Sequence, residues 1–320
     1  MRNAFQKDSV SGSGDVKVAA SDAATFKSAL ELLAGDAYVE RARNTEWLEH
    51  VQVLVANLEN RVVGAIAVQV APGHVGWIWP AVVGYGDADS IASKETSQQL
   101  VAAGVARLAE ADCRLAQALL YPSEPRSRDF EANGFVRIAE MIRMQRDCRA
   151  RPDSWHDASG LEFVAFGSAT ERAFERVIAR TYAGSLDCPE LDGLRSVSEA
   201  LESYKGTDTF RPELWQLARR GGDEVGCVLL AYFPDESRCE LQYMGVVPQA
   251  RGQKLGRILC ERALLQADGI GACRMSLSVD SRNRPALDQY RSLGFAEIDR
   301  REVYLRRLST AADGDELCTI

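Results

Sequence analysis

The sequence predicts an α+β fold, a mixed α/β three-layer architecture, in two tandem copies, each a mixed and mostly antiparallel sheet flanked by helices. Three observations predict it. Both halves run in one order: strand, helix, hairpin, strand, helix, strand, helix, strand. The halves overlay without a gap, so that Cys113-Arg114 meets Cys273-Arg274, Pro125 meets Pro285, and Gly134-Phe135 meets Gly294-Phe295. In the hairpins, Ala56, Val63 and Gly64 meet Ala218, Val225 and Gly226 after a shift of two residues. Such self-similarity marks an internal repeat, and 320 residues is a comfortable length for two domains.

The elements follow from periodicity and breakers. Val16 to Ala19 reads as a strand, and Ser21 or Asp22 caps a helix to about Leu33. Residues 46–49 are too short to assign. Val51 to Leu58 and Val62 to Ala71 alternate around a turn at Glu59-Asn60-Arg61, a hairpin. His74 to Val83 is a further apolar strand, residues 84–93 a loop, and Ser97 to Ala111 a helix. Leu115 to Leu120 is a strand, followed by a short helix to Asn133, and Val136 to Arg146 closes the half. In the second half Leu161 to Phe166 is a strand. Helices run from Ser168 to Arg180 and between Ser196 and Tyr204. Leu214 to Arg219 and Glu224 to Phe233 form a hairpin, and Arg300 to Leu308 closes. The expected domains are 16–147 and 161–309, joined by a linker at 148–160, with disordered tails at 1–15 and 310–320.

The stretch from Glu240 to Gly256 organises the second half. Leu241, Tyr243, Val246 and Val247 supply a strand that Pro248 ends. Arg251, Gly252, Gln253, Lys254, Leu255 and Gly256 form a basic, glycine-bearing turn. Ile258, Leu259, Ala263, Leu264 and Ala267 then recur on one helical face. A turn at a helix start exposes unpaired N–H groups at the positive end of the helix dipole, which suits a phosphate. Alone, such a turn is equally an ordinary strand-to-helix connection.

At these residues the chain resembles the GNAT superfamily of acyl-CoA-dependent N-acyltransferases, whose motif is R/Q-x-x-G-x-G/A. Arg251 and Gly256 fit it, and Lys254 stands where the middle glycine is usual. A second block, Asn283, Ala286, Tyr290, Gly294 and Phe295, is similar to the family's N-x-x-A-x-x-x-Y-x-x-x-G-F. The resemblance implies a tandem of GNAT-like domains using acetyl-CoA as co-substrate and no metal. It implies that Met244, Gly245 and Val246 hold the pantetheine arm, with the Val246 N–H aimed at the thioester carbonyl. The turn from Arg251 through Gly252, Gln253, Lys254, Leu255 and Gly256 to Arg257 would take the pyrophosphate. Asn283 would bond the pantetheine or nearby backbone. Tyr290 matches the family's general acid, the structural alternative being a core aromatic. Glu240 matches a glutamate that serves as base in the histone-acetyltransferase branch, the alternative being a solvated carboxylate. Asp280 and Glu202 are further candidates for the base.

The first half lacks these features. Asp87 and Asp89 lie in the loop that matches the phosphate turn and would repel phosphates. Phe130 falls where Tyr290 falls, and Ser123 where Asn283 falls, so a non-catalytic copy is expected. The acceptor site is expected from residues 185–204, whose Asp187, Glu190, Asp192, Glu199 and Glu202 form either an acidic mouth for a cationic amine or a solvated loop.

A net charge of −8 argues against nucleic-acid or membrane partners. The eight cysteines show no C-x-x-C spacing, which argues against zinc and fits a reducing cytoplasm. Residues 1–16 are polar and unlike a secretory signal. His50, His74 and His156 form no metal or triad pattern. The function implied by the resemblance is an acyltransferase of non-aminoacyl groups, acetylating the primary amine of a small molecule by direct attack in a ternary complex. A non-catalytic acyl-CoA sensor or scaffold stays open, as does acetylation of a protein N-terminus or lysine.

Overall fold

A computed structural model describes residues 16–33, 51–84, 90–149, 156, 158–206 and 209–308. The two expected tails, residues 46–49, Asp87 and Asp89, His50, Cys318, and residues 150–155 and 157 of the expected linker lie outside them.

The chain divides into two compact units, one of residues 1–137 with 302–320 and one of residues 138–301. The first contains β1 (Lys17–Ala20), α1 (Ala23–Leu33), β2 (Val51–Leu58), β3 (Arg61–Ala71), β4 (Val75–Ile78), β5 (Val82–Val83), α2 (Ile91–Glu110), β6 (Leu115–Leu120) and α3 (Ser127–Ala132). Next along the chain come β7 (Val136–Asp147), β8 (Leu161–Ala165), α4 (Glu171–Tyr182), α5 (Val197–Lys205), β9 (Gln216–Arg220), β10 (Asp223–Phe233), β11 (Arg238–Val246), α6 (Leu255–Gly269), β12 (Arg274–Asp280), α7 (Arg284–Ser292) and β13 (Ala296–Arg307). The sheet of the first unit runs β1-β2-β3-β4-β6-β13, and that of the second runs β8-β9-β10-β11-β12-β7. Only β4–β6 and β11–β12 pair in parallel within these runs; their neighbours pair antiparallel. The expected mixed, mostly antiparallel architecture is therefore observed in each unit.

Local chemistry explains two departures from the sequence reading. The strand expected at 74–83 breaks after Ile78, where Pro80 has no N–H to donate, and Val82–Val83 pairs instead with β3. The helix expected from Ser97 begins at Ile91, because Ser90 accepts the Ser93 N–H and caps it. Ser97 faces inward, bonded to buried Asp129 at 2.6 Å.

The third departure is topological. The sequence assigns 136–146 to close the first sheet, yet β7 pairs with β12 across Met141–Asp147, while β13 pairs with β6 across Glu302–Arg307. Each repeat gives its last strand to the other repeat's sheet. β6 and β12 offer equivalent bare edges, so alternation in the sequence shows that a strand exists and not which edge it fills. One arginine on each exchanged strand ties it down. Arg146 donates to the Leu293 carbonyl at the end of α7, and Arg306 to the Asn133 carbonyl at the end of α3. Both carbonyls lie just before a left-handed glycine, Gly294 at φ +83° and Gly134 at φ +74°, the usual way to end a helix. Phe295 then packs edge-on to Tyr290, and Phe135 edge-on to Phe130, at centroid distances of 5.7 and 5.2 Å.

Replacing Arg146 by Met leaves the helix-end carbonyl without its charged donor. We expect a loss of about 1–3 kcal/mol in urea unfolding, with hydrogen exchange accelerated at amides of β12 and α7. Acceleration confined to β6 would count against this assignment of the strands.

Candidate active site

The site in the second unit begins with a break in pairing. β11 pairs with β12 only from Arg238↔Arg274 to Leu241↔Leu277, although both strands run on. Residues 242–246 thus have no strand partner on that side among the described residues. On the other side β11 keeps its register with β10, but the register jumps from Leu229↔Tyr243 to Leu230↔Leu241 and leaves Gln242 as a bulge. Val247 donates its N–H to Val225 O of β10 at 3.1 Å. Alternation along a strand turns the Val246 N–H toward the unpaired side. Gly245 meets α4 closely there, since a Cβ on it would lie 2.7 Å from the Thr181 hydroxyl. Met244, Gly245 and Val246 therefore line the unpaired edge.

The turn after β11 presents main-chain donors. Gly252 has φ +76° and Lys254 φ +60°, so the lysine adopts the left-handed conformation that a glycine would take at no steric cost. No side chain caps α6, leaving the first-turn amides from Leu255 onward open. Gly256 lets α7 approach, because a Cβ would meet Gln289 Oε1 at 2.9 Å. These features fit a pyrophosphate. The side chains divide otherwise. Arg251 braces the turn by donating to Val246 O, Gly184 O and Thr181 O at 3.1, 3.1 and 2.8 Å. Gln253 is held by Arg220, and Arg257 by buried Glu261 and by Ser292. Of the three basic groups, Lys254 is exposed with no side-chain partner among the described residues. A shallow cavity of about 350 Å³ beside the turn is lined by Arg180, Arg220 and Gln253, away from Tyr290 and Glu240.

Tyr290 is 7% exposed on α7, packed with Leu287, Leu293 and Phe295. Its hydroxyl makes no hydrogen bond among the described residues. Burial, with the Cys260 thiol and Asp187 nearby, raises it well above the usual phenol range, so it keeps its proton at neutral pH. Asn283 caps α7, its side chain accepting the Ala286 N–H at 3.3 Å. Glu240 lies on β11 just before the strands part, and Arg238 donates to its Oε2 at 2.8 Å. That arginine also holds Glu236 and Ser276, and Glu240 Oε1 accepts nothing among the described residues. Alternation puts Cys239 and Leu241 in the α6–α7 core with Tyr290, and Glu240 on the opposite face with α4 and α5.

The carboxylate of Asp280 is engaged within the fold. It is fully buried, and both its oxygens are taken by the Arg282 guanidinium, the Arg282 N–H and the Cys188 N–H. Glu202 pairs with Lys205 on the outer side of α5. Sequence reasoning also missed groups on the Glu240 face. Tyr182 and Tyr204 stack around Tyr243 at 6.1 and 6.5 Å, and Tyr243 shares a 2.6 Å bond with Thr181. Gln242 Oε1 is buried without a partner. The period-two pattern flagged Tyr243 as a strand residue; nothing in sequence joins it to Tyr182 and Tyr204.

The first unit differs at the matching place. β4 pairs with β6 only over Val75–Trp77, but Arg126, paired with Glu124, reaches Ala81 O at 3.4 Å beyond the end of β4. Phe130 is fully buried where Tyr290 would be.

For Asp280, burial raises its pKa, but the hydrogen bonds from Arg282 and Cys188 outweigh it and hold the carboxyl below the ordinary value of 3.8. A depressed folded-state pKa adds stability above the unfolded value, lost as pH falls through the folded one. Asp280→Asn should therefore cost about 3–5 kcal/mol at pH 7. The gap to wild type, read by denaturant titration, should narrow below about pH 4. A gap independent of pH would refute the charge as its source.

Residues 183–295 match the model of the acetyltransferase (GNAT) family. Over 52% of its length the chain is 30% identical to a mycothiol acetyltransferase of Beutenbergia cavernae, and over 51% it is 32% identical to one of Thermomonospora curvata. Those matches span 59% and 54% of the relatives, little more than half their length. Among solved structures, a GCN5-related N-acetyltransferase of Sphaerobacter thermophilus superposes with TM-score 0.60 at 16% identity, covering 91% of this chain and 95% of that one. A tandem GNAT protein from the clavulanic acid biosynthesis pathway gives 0.57 at 16%, covering 93% and 100%. These two share the fold, and the likeness to the GNAT family in sequence is carried by residues 183–295.

Proposed function

We propose that the second unit acetylates the primary amine of a small molecule, taking the acetyl group from acetyl-CoA by direct attack in a ternary complex. The observation that carries this reading is the unpaired edge of β11, with a protonated phenol on one face of the sheet and a carboxylate on the other. A thioester lying along residues 244–246 would meet the Val246 N–H with its carbonyl oxygen, the place where negative charge builds up on attack. The pyrophosphate would rest on the open amides from Gly252 to Arg257, with Lys254 supplying charge.

The amine nitrogen would approach from the Glu240 face, guided by the orphan Gln242 Oε1, which accepts one N–H. As the C–N bond forms, the amine gives a proton to Glu240 Oε1, directly or through water. As the C–S bond breaks, Tyr290 protonates the departing sulfur. The described cysteines are unpaired, and most are buried. Such thiols suit a reducing cytoplasm, where we place the enzyme.

Tyr290→Phe should lower kcat by roughly 10²–10⁴-fold while calorimetry shows an unchanged Kd for acetyl-CoA. CoA release at the wild-type rate would remove Tyr290 from the mechanism. Binding of acetyl-CoA without turnover of any amine would favour a sensor over an enzyme.

A further inference from the structure

Where β11 and β12 part, each leaves main-chain groups facing the gap, and a side chain has claimed one on either side. On β11, Val247 gives its N–H to β10, so the Val246 carbonyl of the same peptide unit turns toward the gap. Arg251 Nε donates to that carbonyl at 3.1 Å. On β12, Ser281 gives its N–H to Glu140 O of β7 at 2.8 Å, so alternation turns the Asp280 N–H toward the gap. Asp187 Oδ1 accepts it at 2.8 Å.

Both ties hold one stretch of chain. The Arg251 guanidinium also donates to Thr181 O and Gly184 O, at and just past the end of α4. Three residues after Gly184 comes Asp187, whose carboxylate meets the β12 side. Three residues reach at most roughly 10 Å, so the chain crosses directly between the two strand ends. Beyond the crossing it is pinned again. Cys188 donates its N–H to Asp280 Oδ2 at 3.1 Å, and Arg282 joins Asp280 to Glu190 at 2.6 and 2.8 Å. Cys188 holds φ +44°, a conformation that a non-glycine residue keeps only where its surroundings enforce it. Of the acids expected to form an acidic mouth, Asp187 and Glu190 are therefore fastenings. Glu199 closes a capping box with Ser196, and Glu202 pairs with Lys205.

We infer that residues 184–190 form a strap across the open end of the gap, and that Asp187 and Glu190 are positioning residues that hold it beside the bound cofactor. This rests on the acyl-transfer reading and deepens it. A pantetheine arm lying along residues 244–246, with its pyrophosphate on the turn that follows, leaves the gap at that end. It must pass the strap to enter or leave. The strap takes no part in proton transfer; it slows the exchange of acetyl-CoA, so that the thioester stays in place until an amine arrives.

Biolayer interferometry on the full chain with acetyl-CoA reads association and dissociation rates. A wild type that binds no acetyl-CoA sinks the acyl-transfer reading itself. Asp187→Ala removes one fastening and should release acetyl-CoA roughly tenfold faster, the effect of losing a hydrogen bond to a charged group. Asp187→Asn keeps an oxygen for the Asp280 N–H and should recover part of the slow release. Glu190→Gln leaves Asp280 with Arg282 and should speed release by less; it carries the test if the urea midpoint shows that Asp187→Ala folds poorly. Hydrogen exchange at amides 184–190 should slow when acetyl-CoA binds, and should slow less in the variants. Release at the wild-type rate from both Asp187→Ala and Glu190→Gln overturns the strap and leaves acyl transfer standing. So does exchange at amides 184–190 that acetyl-CoA leaves unchanged.

Discussion

The candidate site of the second unit depends on β11 and β12 ceasing to pair after Leu241 and Leu277. A strand interior that gives up a partner must leave its main-chain groups for something else, because orphaned peptide groups are costly. Here the loss is local and supported. β10 keeps its register on the far side apart from the Gln242 bulge, and α4 presses on Gly245. The gap is thus a fixed break in pairing rather than a frayed end. The Tyr290 phenol and the Glu240 carboxylate thus lie on opposite faces of the sheet.

Charged side chains around the slot act mainly as struts. Arg251 joins the glycine turn to the end of α4, and Arg282 joins Asp280 to Glu190. Arg257 locks onto Glu261, which also receives the His156 N–H. The main chain of the turn is thereby held in place in advance, so that an anion placed there would require little ordering. Lys254 is the exception, a non-glycine residue with positive φ beside the anion site, and conformations of that kind cost on the order of 1–3 kcal/mol.

Much of this was legible in the chain. The spacing of Asn283, Tyr290 and Gly294-Phe295 located α7 and its end, and the run from Glu240 to Gly256 located the strand, turn and helix. Those signals are local, set by periodicity, prolines and glycines. What escaped was long-range. Nothing in the order of residues says that Asp280, read as a possible base, is consumed by Arg282 and by an N–H from residue 188. Nothing says that Tyr182, Tyr204 and Tyr243 converge, or that Glu190 and Glu202 are paired with Arg282 and Lys205. The Arg251 side chain illustrates the limit: its motif position is legible, but its partners Gly184 and Thr181 are far away in sequence.

The exchange of β7 and β13 bears on how such a chain comes into being. Residues emerge from a ribosome in order, so β6 is made long before β13, and its outer edge stays bare until β13 is released. The bulk of the first sheet can assemble early, but it can be sealed only once β13 has been made. A cut at the boundary between the repeats would therefore take from each sheet the strand that covers the edge of β6 or β12.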